Sequence, residues 1–375
     1  ICDEEVNNSA NYPTQPKVSF SYRLSVQKSD GSIANYDEHT MLAYYQASNA
    51  GYTINFATED DAAAAIEAYK QEIMEPGDKI VEGGEYVHYT LQPQAALTII
   101  DQSTGEVKAI VGGRGDKVAN RTLNRATDST RQPGSTFKVL AAYAPALDGA
   151  GMTLATVEDD APYAYANGTS LRNYDNRYRG FTSLRTAITY SINVVAVKCL
   201  TDIGVDNGFS YLQDFGFTTL KDSDRVQSLA LGGVTDGVTN LELTAAYATI
   251  ANGGTYTKPR FYTKILDHDG NVLIDNTPQT SSVLKETTAW LLTDAMKDVI
   301  TTGTGKVCNF DGMTLAGKSG TTTKNRDALF AGYSPYYSCV VWGGYDDNAP
   351  QASGTTSYPK LIWRAVMQRL HEGLE

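Results

Sequence analysis

The chain has 375 residues, of which 41% are hydrophobic, so it is long enough for two domains and apolar enough to bury a core. Its formal net charge of −12 disfavours a nucleic acid as a partner, because contacts with phosphates require a basic surface. No run of about 18 apolar residues is present, so the sequence predicts no membrane-spanning helix within this chain.

The cysteines and histidines do not indicate a metal site or a redox centre. The chain has four cysteines without a C-x-x-C pair, and its four histidines are scattered in polar or terminal contexts. A Ser-His-Asp hydrolase is also disfavoured, since the Gly-x-Ser-x-Gly turn that carries the serine in many such enzymes does not occur. We therefore expect no metal and no cofactor.

Residues 1–90 differ in character from the rest of the chain. Alternating apolar residues predict a strand over Val18–Lys28, and an alanine-rich pattern predicts a helix over Asp60–Met74. The segment Lys79–Thr90 contains Gly83-Gly84, which predicts a hairpin. Together these elements predict a small α+β linker module that acts as a spacer docked on the remaining residues.

Residues 91–375 form the second predicted domain. Ala95–Gly113 is predicted to form two strands joined by a turn, and the region from there to about residue 300 is mainly helical. Three successive strands are expected within Thr314–Asp346, followed by a last helix over Lys360–Leu370. Strands from both ends of this region, with helices between them, predict one mainly antiparallel sheet covered by helices.

The first segment that suggests chemistry runs from Ser135 to Lys138. Ser-x-x-Lys is a weak pattern, since the chain contains four matches. Here Pro133-Gly134 precedes and an apolar run follows, which predicts a serine in the first turn of a buried helix. The Lys138 amine would then lie close to the Ser135 hydroxyl, and burial would favour its neutral, basic form. The alternative is a serine that caps the helix and a lysine whose amine reaches solvent.

The second segment, Ser191-Ile192-Asn193, lies between two apolar stretches. Residues two positions apart do not share a helix face, so Ser191 and Asn193 point the same way only if the chain turns or extends there. The alternative is a capping role at a helix break. The loop before this segment is rich in tyrosine, and we expect a substrate groove to be lined by Tyr163, Tyr165, Tyr174 and Tyr178.

The third segment, Lys318-Ser319-Gly320, is the most specific, since Lys-[Ser/Thr]-Gly occurs once in the chain. Glycines on both sides of the lysine, in a strand-like context, suggest close approach of a ligand to the backbone. The hydroxyl groups that follow, on Thr321 and Thr323, suit a carboxylate. The alternative is a glycine-rich turn before a strand.

The three segments, in this order, resemble the motif set of the penicillin-binding protein transpeptidases, most closely the class A, bifunctional type. The likeness covers roughly residues 90–370 and includes Arg131–Lys138, Gly180–Asn193, Leu231–Val234 with the stretch that follows it, Gly303–Gly305 and Asp327–Tyr333. Some positions depart from the family pattern: Ser319 stands where threonine is usual, Val139 where proline is common, and Leu329 where tryptophan is frequent. Arg172-Asn173-Tyr174-Asp175 also stands where the family has a Pro-x-Asn element.

The resemblance implies an α/β (α+β) fold of the β-lactamase and transpeptidase type, with a five-stranded antiparallel sheet covered by helices. It also implies peptidoglycan DD-transpeptidation through a serine acyl-enzyme, which β-lactams would form as well. The implied catalytic residues are Ser135, Lys138, Ser191, Asn193 and Lys318. The implied substrate-binding residues are Ser319, Gly320, Thr321 and Thr323.

The resemblance further implies a longer parent protein. Its N-terminal membrane anchor and glycosyltransferase domain would lie outside this chain. We then expect a location on the extracytoplasmic face of the bacterial cell membrane, peptidoglycan stem peptides as substrates, and a cell-wall synthesis complex as partner.

Other functions stay open as alternatives: a DD-carboxypeptidase, a β-lactamase-type hydrolase, or a non-catalytic β-lactam sensor. A β-lactamase needs a group that activates water to release the acyl-enzyme. The candidate between the second and third segments, Glu242, lies in an apolar helical pattern that favours a structural role.

Overall fold

The computed structural model of the chain describes residues 1–117 and 119–374. Its first 92 residues contain, in chain order, α1 (Cys2–Asn7), β1 (Lys17–Gln27), β2 (Ile33–Asp37), α2 (Glu38–Gln46), α3 (Glu59–Ile73) and β3 (Lys79–Gln92). The strands form an antiparallel sheet in the order β2-β1-β3, on which α2 and α3 pack. The apolar side chains between sheet and helices form a separate cluster that includes Phe20, Tyr22, Ile66 and Tyr69. The predicted strand and helix of this region are confirmed.

The hairpin predicted over Lys79–Thr90 is wrong. β3 runs in one direction through Gly83-Gly84 and pairs with β1 on both sides of these glycines. Residues Val81–Gly84 stand against the single residue Ser25, so the glycines mark a bulge within one strand. The sequence could not separate the two outcomes, because glycine within a strand pattern is typical of both bulges and turns.

From residue 94 to residue 374, with residue 118 left out, the elements follow in the order β4 (Gln94–Asp101), β5 (Glu106–Val111), α4 (Ala144–Asp148), β6 (Val157–Asp160), β7 (Tyr163–Ala164), β8 (Ser170–Leu171), β9 (Gly180–Ser183), α5 (Leu184–Tyr190), α6 (Asn193–Ile203), α7 (Val205–Asp214), α8 (Asn240–Ala251), β10 (Thr255–Thr257), β11 (Lys264–Leu266), β12 (Val272–Asp275), β13 (Thr280–Ser282), α9 (Glu286–Thr301), β14 (Ala316–Thr321), β15 (Asp327–Tyr333), β16 (Ser338–Gly344) and α10 (Tyr358–Leu370). The predicted hairpin at the start of this region, the three successive strands and the last helix are confirmed.

A five-stranded antiparallel sheet in the order β14-β15-β16-β4-β5 forms the centre of this region, which confirms the predicted fold. Because successive residues of a strand point to opposite faces, the two faces bury different side chains. Leu329, Ala331 and Trp342 pack into the cluster that contains α8, whereas Phe330 and Val341 pack into the cluster that contains α10. The sheet therefore lies between two helical layers.

The N-terminal helix α1 contacts the last helix. Arg369 of α10 forms ion pairs with Glu4 and Glu5 at 2.7 and 2.8 Å, and Val6 shares an apolar cluster with Trp363. The division of the chain at residue 90 stays a prediction. Among residues 1–117 and 119–374, no helix has the length and apolarity needed to cross a bilayer.

Candidate active site

Ser135 lies in a 3₁₀ turn, Gly134–Thr136, directly before a buried helical segment. The sequence correctly places the serine at the entry of an apolar helix, but Lys138–Tyr143 forms π-helical hydrogen bonds before α4 begins. Such π-helical turns are frequent at functional sites. The Ser135 side chain is half-buried, whereas Lys138 is fully buried.

The Lys138 amine is directed toward the second segment rather than toward solvent. Its Nζ lies 2.6 Å from both Ser191 O and Asn193 Oδ1, and 3.1 Å from Ser191 Oγ. Within residues 1–117 and 119–374, the Ser135 hydroxyl makes no hydrogen bond, either to this amine or to another group. The alternative of a solvated lysine is therefore wrong. Among the described residues the amine donates to three acceptors of the second segment instead of to Ser135. The proximity of Lys138 to the Ser135 hydroxyl stays a prediction.

The second segment forms a sharp turn between two helices. Ser191 ends α5 in the left-handed region, with φ 55° and ψ 46°, and Ile192 is extended before α6 begins at Asn193. The buried Asn173 Oδ1 accepts a hydrogen bond from the Asn193 backbone N–H at 2.9 Å and thereby fixes the start of α6. The chain thus meets the condition stated for a shared direction, by a turn at Ser191 and an extended Ile192, and two side chains of this segment reach the same amine.

Lys318 belongs to β14, the edge strand of the five-stranded sheet. Its fully buried Nζ donates a hydrogen bond of 2.7 Å to Ser191 Oγ, so the two lysines contact the same hydroxyl. The neighbouring Ser319 Oγ lies 2.8 Å from Thr304 Oγ1. All three segments identified in the sequence therefore converge on one place, and the alternatives of an isolated cap or turn do not describe them.

Two backbone N–H groups are available beside the serine. Thr322 N donates a hydrogen bond of 3.1 Å to Asp327 O of β15. Because neighbouring residues of an edge strand direct their N–H groups to opposite sides, the N–H of Thr321 points away from β15, to the unpaired edge of β14. The N–H of Ser135 lies in the first turn of a helical segment, where backbone donors lack partners within the helix. Because Gly134 has no Cβ, its backbone lies very close to Thr321: a Cβ on it would be 2.9 Å from Thr321 O. This close approach brings the N–H groups of Ser135 and Thr321 together.

Glycines allow the Ser135 turn to approach β14 so closely. Gly134 has φ +55°, and a Cβ on Gly232, itself at φ +75°, would lie 2.5 Å from Gly134 N. A Cβ on Gly320 would lie 2.8 Å from Pro133 O. Glycine alone fits such contacts and such positive φ angles without strain. The segment Leu231–Val234, noted for its likeness to the family, thus supports the serine turn.

Burial lowers the pKa values of both lysines. Loss of hydration lowers the pKa of Lys138 well below its usual value, and the positive charge of Lys318 lowers it further. Burial, together with the charge of Lys360, lowers the pKa of Lys318 to about 7. The positive charge of Lys318 therefore favours the neutral, basic form of the Lys138 amine.

A cavity of about 930 Å³ opens at this site. The predicted residues on its wall are Ser135, Ser191, Asn193, Ser319, Gly320, Thr321 and Thr323. Tyr174 also lines the cavity, but Tyr163 and Tyr165 pack against the apolar core instead. Tyr178 is not on the wall that the described residues form.

Several wall residues were missed by the sequence analysis, namely Gln132, Thr304 and Lys360. Thr304 lies in a segment noted for its likeness to the family, yet nothing in the sequence places it against Ser319. Lys360 belongs to another Ser-x-x-Lys match, at the start of α10. Only the packing of α10 against the sheet brings it to the cavity.

Glu242 has the structural role predicted for it. Its carboxylate accepts hydrogen bonds from the N–H and hydroxyl of Thr239 at 3.0 and 2.9 Å, in a capping box at the start of α8. Among the described residues that line the cavity, the one carboxylate belongs to Asp327. Arg131 Nε and Trp342 Nε1 hold its Oδ1 at 2.7 and 3.0 Å. Outside residues 118 and 375, no group of His, Cys, Asp and Glu is arranged to hold a metal ion.

The sheet, its helical layers and the three converging segments define a domain of the transpeptidase class. Residues 95–368 match the family described as "Penicillin binding protein transpeptidase domain". The chain therefore belongs to this family of acyltransferases, and the predicted resemblance to the class A type is confirmed.

Similar proteins agree with this assignment. Penicillin-binding protein 1A of Clostridium acetobutylicum is 36% identical over an alignment of 297 residues, and the match covers 76% of this chain and 36% of that protein. The chain thus spans little more than a third of that relative's length. The structure of the PonA1 protein of Mycobacterium tuberculosis in complex with penicillin V superposes with a TM-score of 0.67 at 24% identity. The superposition covers 76% of this chain and 79% of the PonA1 chain. The structure of penicillin-binding protein 1A of Haemophilus influenzae superposes with a TM-score of 0.68 at 21% identity. That superposition covers 100% of this chain and 60% of the Haemophilus chain.

Proposed function

We propose that the chain is a peptidoglycan DD-transpeptidase domain in which Ser135 forms an ester with a stem peptide. The observation that carries this proposal is the convergence of two buried lysines on Ser191 Oγ, beside the half-buried Ser135, with the pKa of each amine lowered by burial. A lysine whose pKa is lowered toward the working pH can accept or donate a proton during a reaction.

In the first step, Ser135 Oγ attacks the carbonyl carbon of the penultimate D-Ala, and its proton passes to the neutral amine of Lys138. To accept it, Lys138 Nζ exchanges its 3.1 Å contact with Ser191 Oγ for one with Ser135. Catalytic hydrogen bonds are often absent before substrate binds and form only in the complex. The backbone N–H groups of Ser135 and Thr321 stabilise the negative charge that develops on the carbonyl oxygen.

In the second step, the peptide C–N bond breaks and the departing D-Ala amine takes a proton from Lys318 through Ser191 Oγ. Lys318 is then neutral and Lys138 is charged. Once Lys138 Nζ has returned to Ser191 Oγ, the proton passes back from Lys138 to Lys318 through the same hydroxyl, which lies 3.1 and 2.7 Å from the two amines in the structure. The site is thereby reset without a histidine or a metal ion in the relay.

The third segment and its neighbours hold the donor peptide. Ser319, Gly320, Thr321 and Thr323 line the cavity next to Lys318, where hydroxyl and backbone groups can bind the terminal carboxylate. The Asn193 side chain, whose Nδ2 donates to Arg172 O at 2.8 Å, stands at the cavity wall to bind a substrate amide. β-Lactams carry a carboxylate and a reactive amide, so they would acylate Ser135 by the same route.

The distribution of carboxylates disfavours a β-lactamase-type hydrolase that uses a carboxylate to activate water. Glu242 is held by Thr239 in the capping box and by Thr218, and Asp327 is held by Arg131 and Trp342. Neither carboxylate is free to activate water for release of the ester. This observation supports a transpeptidase over a β-lactamase-type hydrolase, and exchange with an acceptor amine separates a transpeptidase from a DD-carboxypeptidase.

The wider context is part of the proposal. Because peptidoglycan lies outside the cell membrane, we place the domain on the extracytoplasmic face of the bacterial cell, within a longer, membrane-anchored protein of a cell-wall synthesis complex. Residues 1–90 would serve as a linker module that docks on residues 91–375. The ion pairs between α1 and Arg369 of α10 are part of this docking contact.

The direct test is turnover of a stem peptide that ends in D-Ala-D-Ala, with and without a D-amino acid as acceptor, followed by mass spectrometry. We expect release of the terminal D-Ala and formation of the exchanged peptide, and loss of both in Ser135→Ala. Release without exchange would instead identify a DD-carboxypeptidase. A penicillin ester that forms but turns over no peptide would identify a β-lactam sensor, and one hydrolysed within a second would identify a β-lactamase.

A further inference from the structure

Lys360 is a cation on the cavity wall to which the sequence assigns no role. It lies in the first turn of α10, half-buried, and its Nζ donates to Thr304 O at 3.3 Å. In the described part of the chain it forms no ion pair, although the protein carries a net charge of −12. A cation without an acidic partner, on the wall of a cavity, is left to interact with a ligand.

The other charges of the cavity make the wall around Lys360 cationic. The carboxylate of Asp327 is neutralised by the Arg131 guanidinium at 2.7 Å. Arg326 also lines the cavity, and its guanidinium donates to Asn348 O, a neutral acceptor. Lys318 is buried nearby and close enough for the charge of Lys360 to act on it. The ligand that suits this wall is therefore an anion.

Lys360 is connected to the third segment by a short series of contacts. Thr304 O accepts from Lys360 Nζ, and Thr304 Oγ1 lies 2.8 Å from Ser319 Oγ. We propose that Lys360 is a specificity-determining residue that binds the carboxylate of an anionic donor beside Ser319 and Thr304. This inference rests on the proposed function, because it concerns the donor of the same acyl-transfer reaction.

The test uses two thioesters that are identical except for the leaving group, which ends in a carboxylate in one and in a neutral amide in the other. The variants are Lys360→Gln, Lys360→Arg, and the control Lys264→Gln, which removes an exposed cation from the distant hairpin β11–β12. Reactions are run at pH 6, so that Lys318 is mainly protonated in every variant. Thermal midpoints show that each variant is folded.

We expect Lys360→Gln to raise KM for the carboxylate thioester by about tenfold, as loss of one charge-assisted hydrogen bond predicts. Its kcat, and both constants for the amide thioester, should stay close to those of the wild type. Lys360→Arg should retain most of the preference for the carboxylate, and Lys264→Gln all of it.

Equal effects of Lys360→Gln on both thioesters, a lower kcat at unchanged KM, or no effect at all would overturn the inference while leaving the acyl-transfer reaction in place. Wild-type protein that cleaves neither thioester would contradict the proposed function itself, and the inference with it.

Discussion

Lys318 Nζ donates a hydrogen bond of 2.7 Å to Ser191 Oγ, and this contact joins β14 of the central sheet to the turn between α5 and α6. The same hydroxyl lies 3.1 Å from Lys138 Nζ. One serine therefore links the first and third segments. If protons move between the two lysines, they move through this oxygen.

Replacing Ser191 with alanine should interrupt that path. We expect acylation by a penicillin to slow by about 10²- to 10⁴-fold, which is the usual contribution of a positioned proton-transfer group. The rate is measured by stopped-flow competition with a fluorescent penicillin. Ser282→Ala is the control, since Ser282 is exposed at the end of β13, away from the site, and it should react like the wild type. Equal rates for Ser191→Ala and the wild type would remove Ser191 from the mechanism.

The pH dependence of acylation should report both lysines. The rate requires neutral Lys138 and protonated Lys318, so it should rise as Lys138 loses its proton and fall as the pH passes the Lys318 pKa of about 7. Lys360→Gln removes a positive charge that lowers the pKa of Lys318, and should therefore move the falling limb to higher pH. Acylation rates between pH 5 and 10 test this expectation. A falling limb that stays in place or moves to lower pH contradicts it.

Gly134 should tolerate no side chain. Alanine there would adopt φ +55° and place its Cβ 2.9 Å from Thr321 O. Gly151→Ala is the matched control, because Gly151 has φ +74° with nothing within 4 Å of its Cβ position. The control should lose about 1 kcal/mol of unfolding free energy from the positive φ alone. Gly134→Ala should lose more than this in urea denaturation, and should acylate at least about tenfold more slowly if the two N–H groups separate. Identical behaviour of the two variants would show that the close approach is unimportant.

Lys318 should make the protein less stable at low pH. Its pKa falls from 10.5 in the unfolded chain to about 7 in the folded protein, so between these values the unfolded chain binds more protons and stability rises with pH. Below pH 7 the whole cost of burying the charge is present. Lys318→Met, which is inactive, should therefore be more stable than the wild type at pH 6, by a margin that shrinks toward pH 10. Urea denaturation at several pH values measures this margin, and one that grows with pH would contradict the assigned pKa.

The sequence predicted the chemistry of the site better than its geometry. The three segments, the strand that carries Lys318 and the helix before Ser191 could be inferred, because each depends on residues close together in the chain. The direction of the Lys138 amine could not be inferred, since it depends on acceptors in the second segment, more than fifty residues away in the chain. The π-helical turn could not be inferred either, because an apolar run does not distinguish it from an α-helix. Contacts between distant segments could not be predicted from the sequence either; the placement of Lys360 beside Thr304 is an example.

The misjudged elements have similar physical causes. Gly83-Gly84 is compatible with both a bulge and a turn, and only the pairing of β3 with β1 decides between them. Tyr163 and Tyr165 lie in the loop expected to border the groove, but they are partly buried and pack against the apolar core. In each case a local pattern allowed two outcomes, and long-range packing selected one.

The most direct test of the central claim is peptide mapping of the folded protein after reaction with a penicillin. We predict one added penicillin per chain, located by tandem mass spectrometry on Ser135, and no adduct in Ser135→Ala with an unchanged thermal midpoint. An adduct on any other residue, or an equal adduct in Ser135→Ala, would contradict the account.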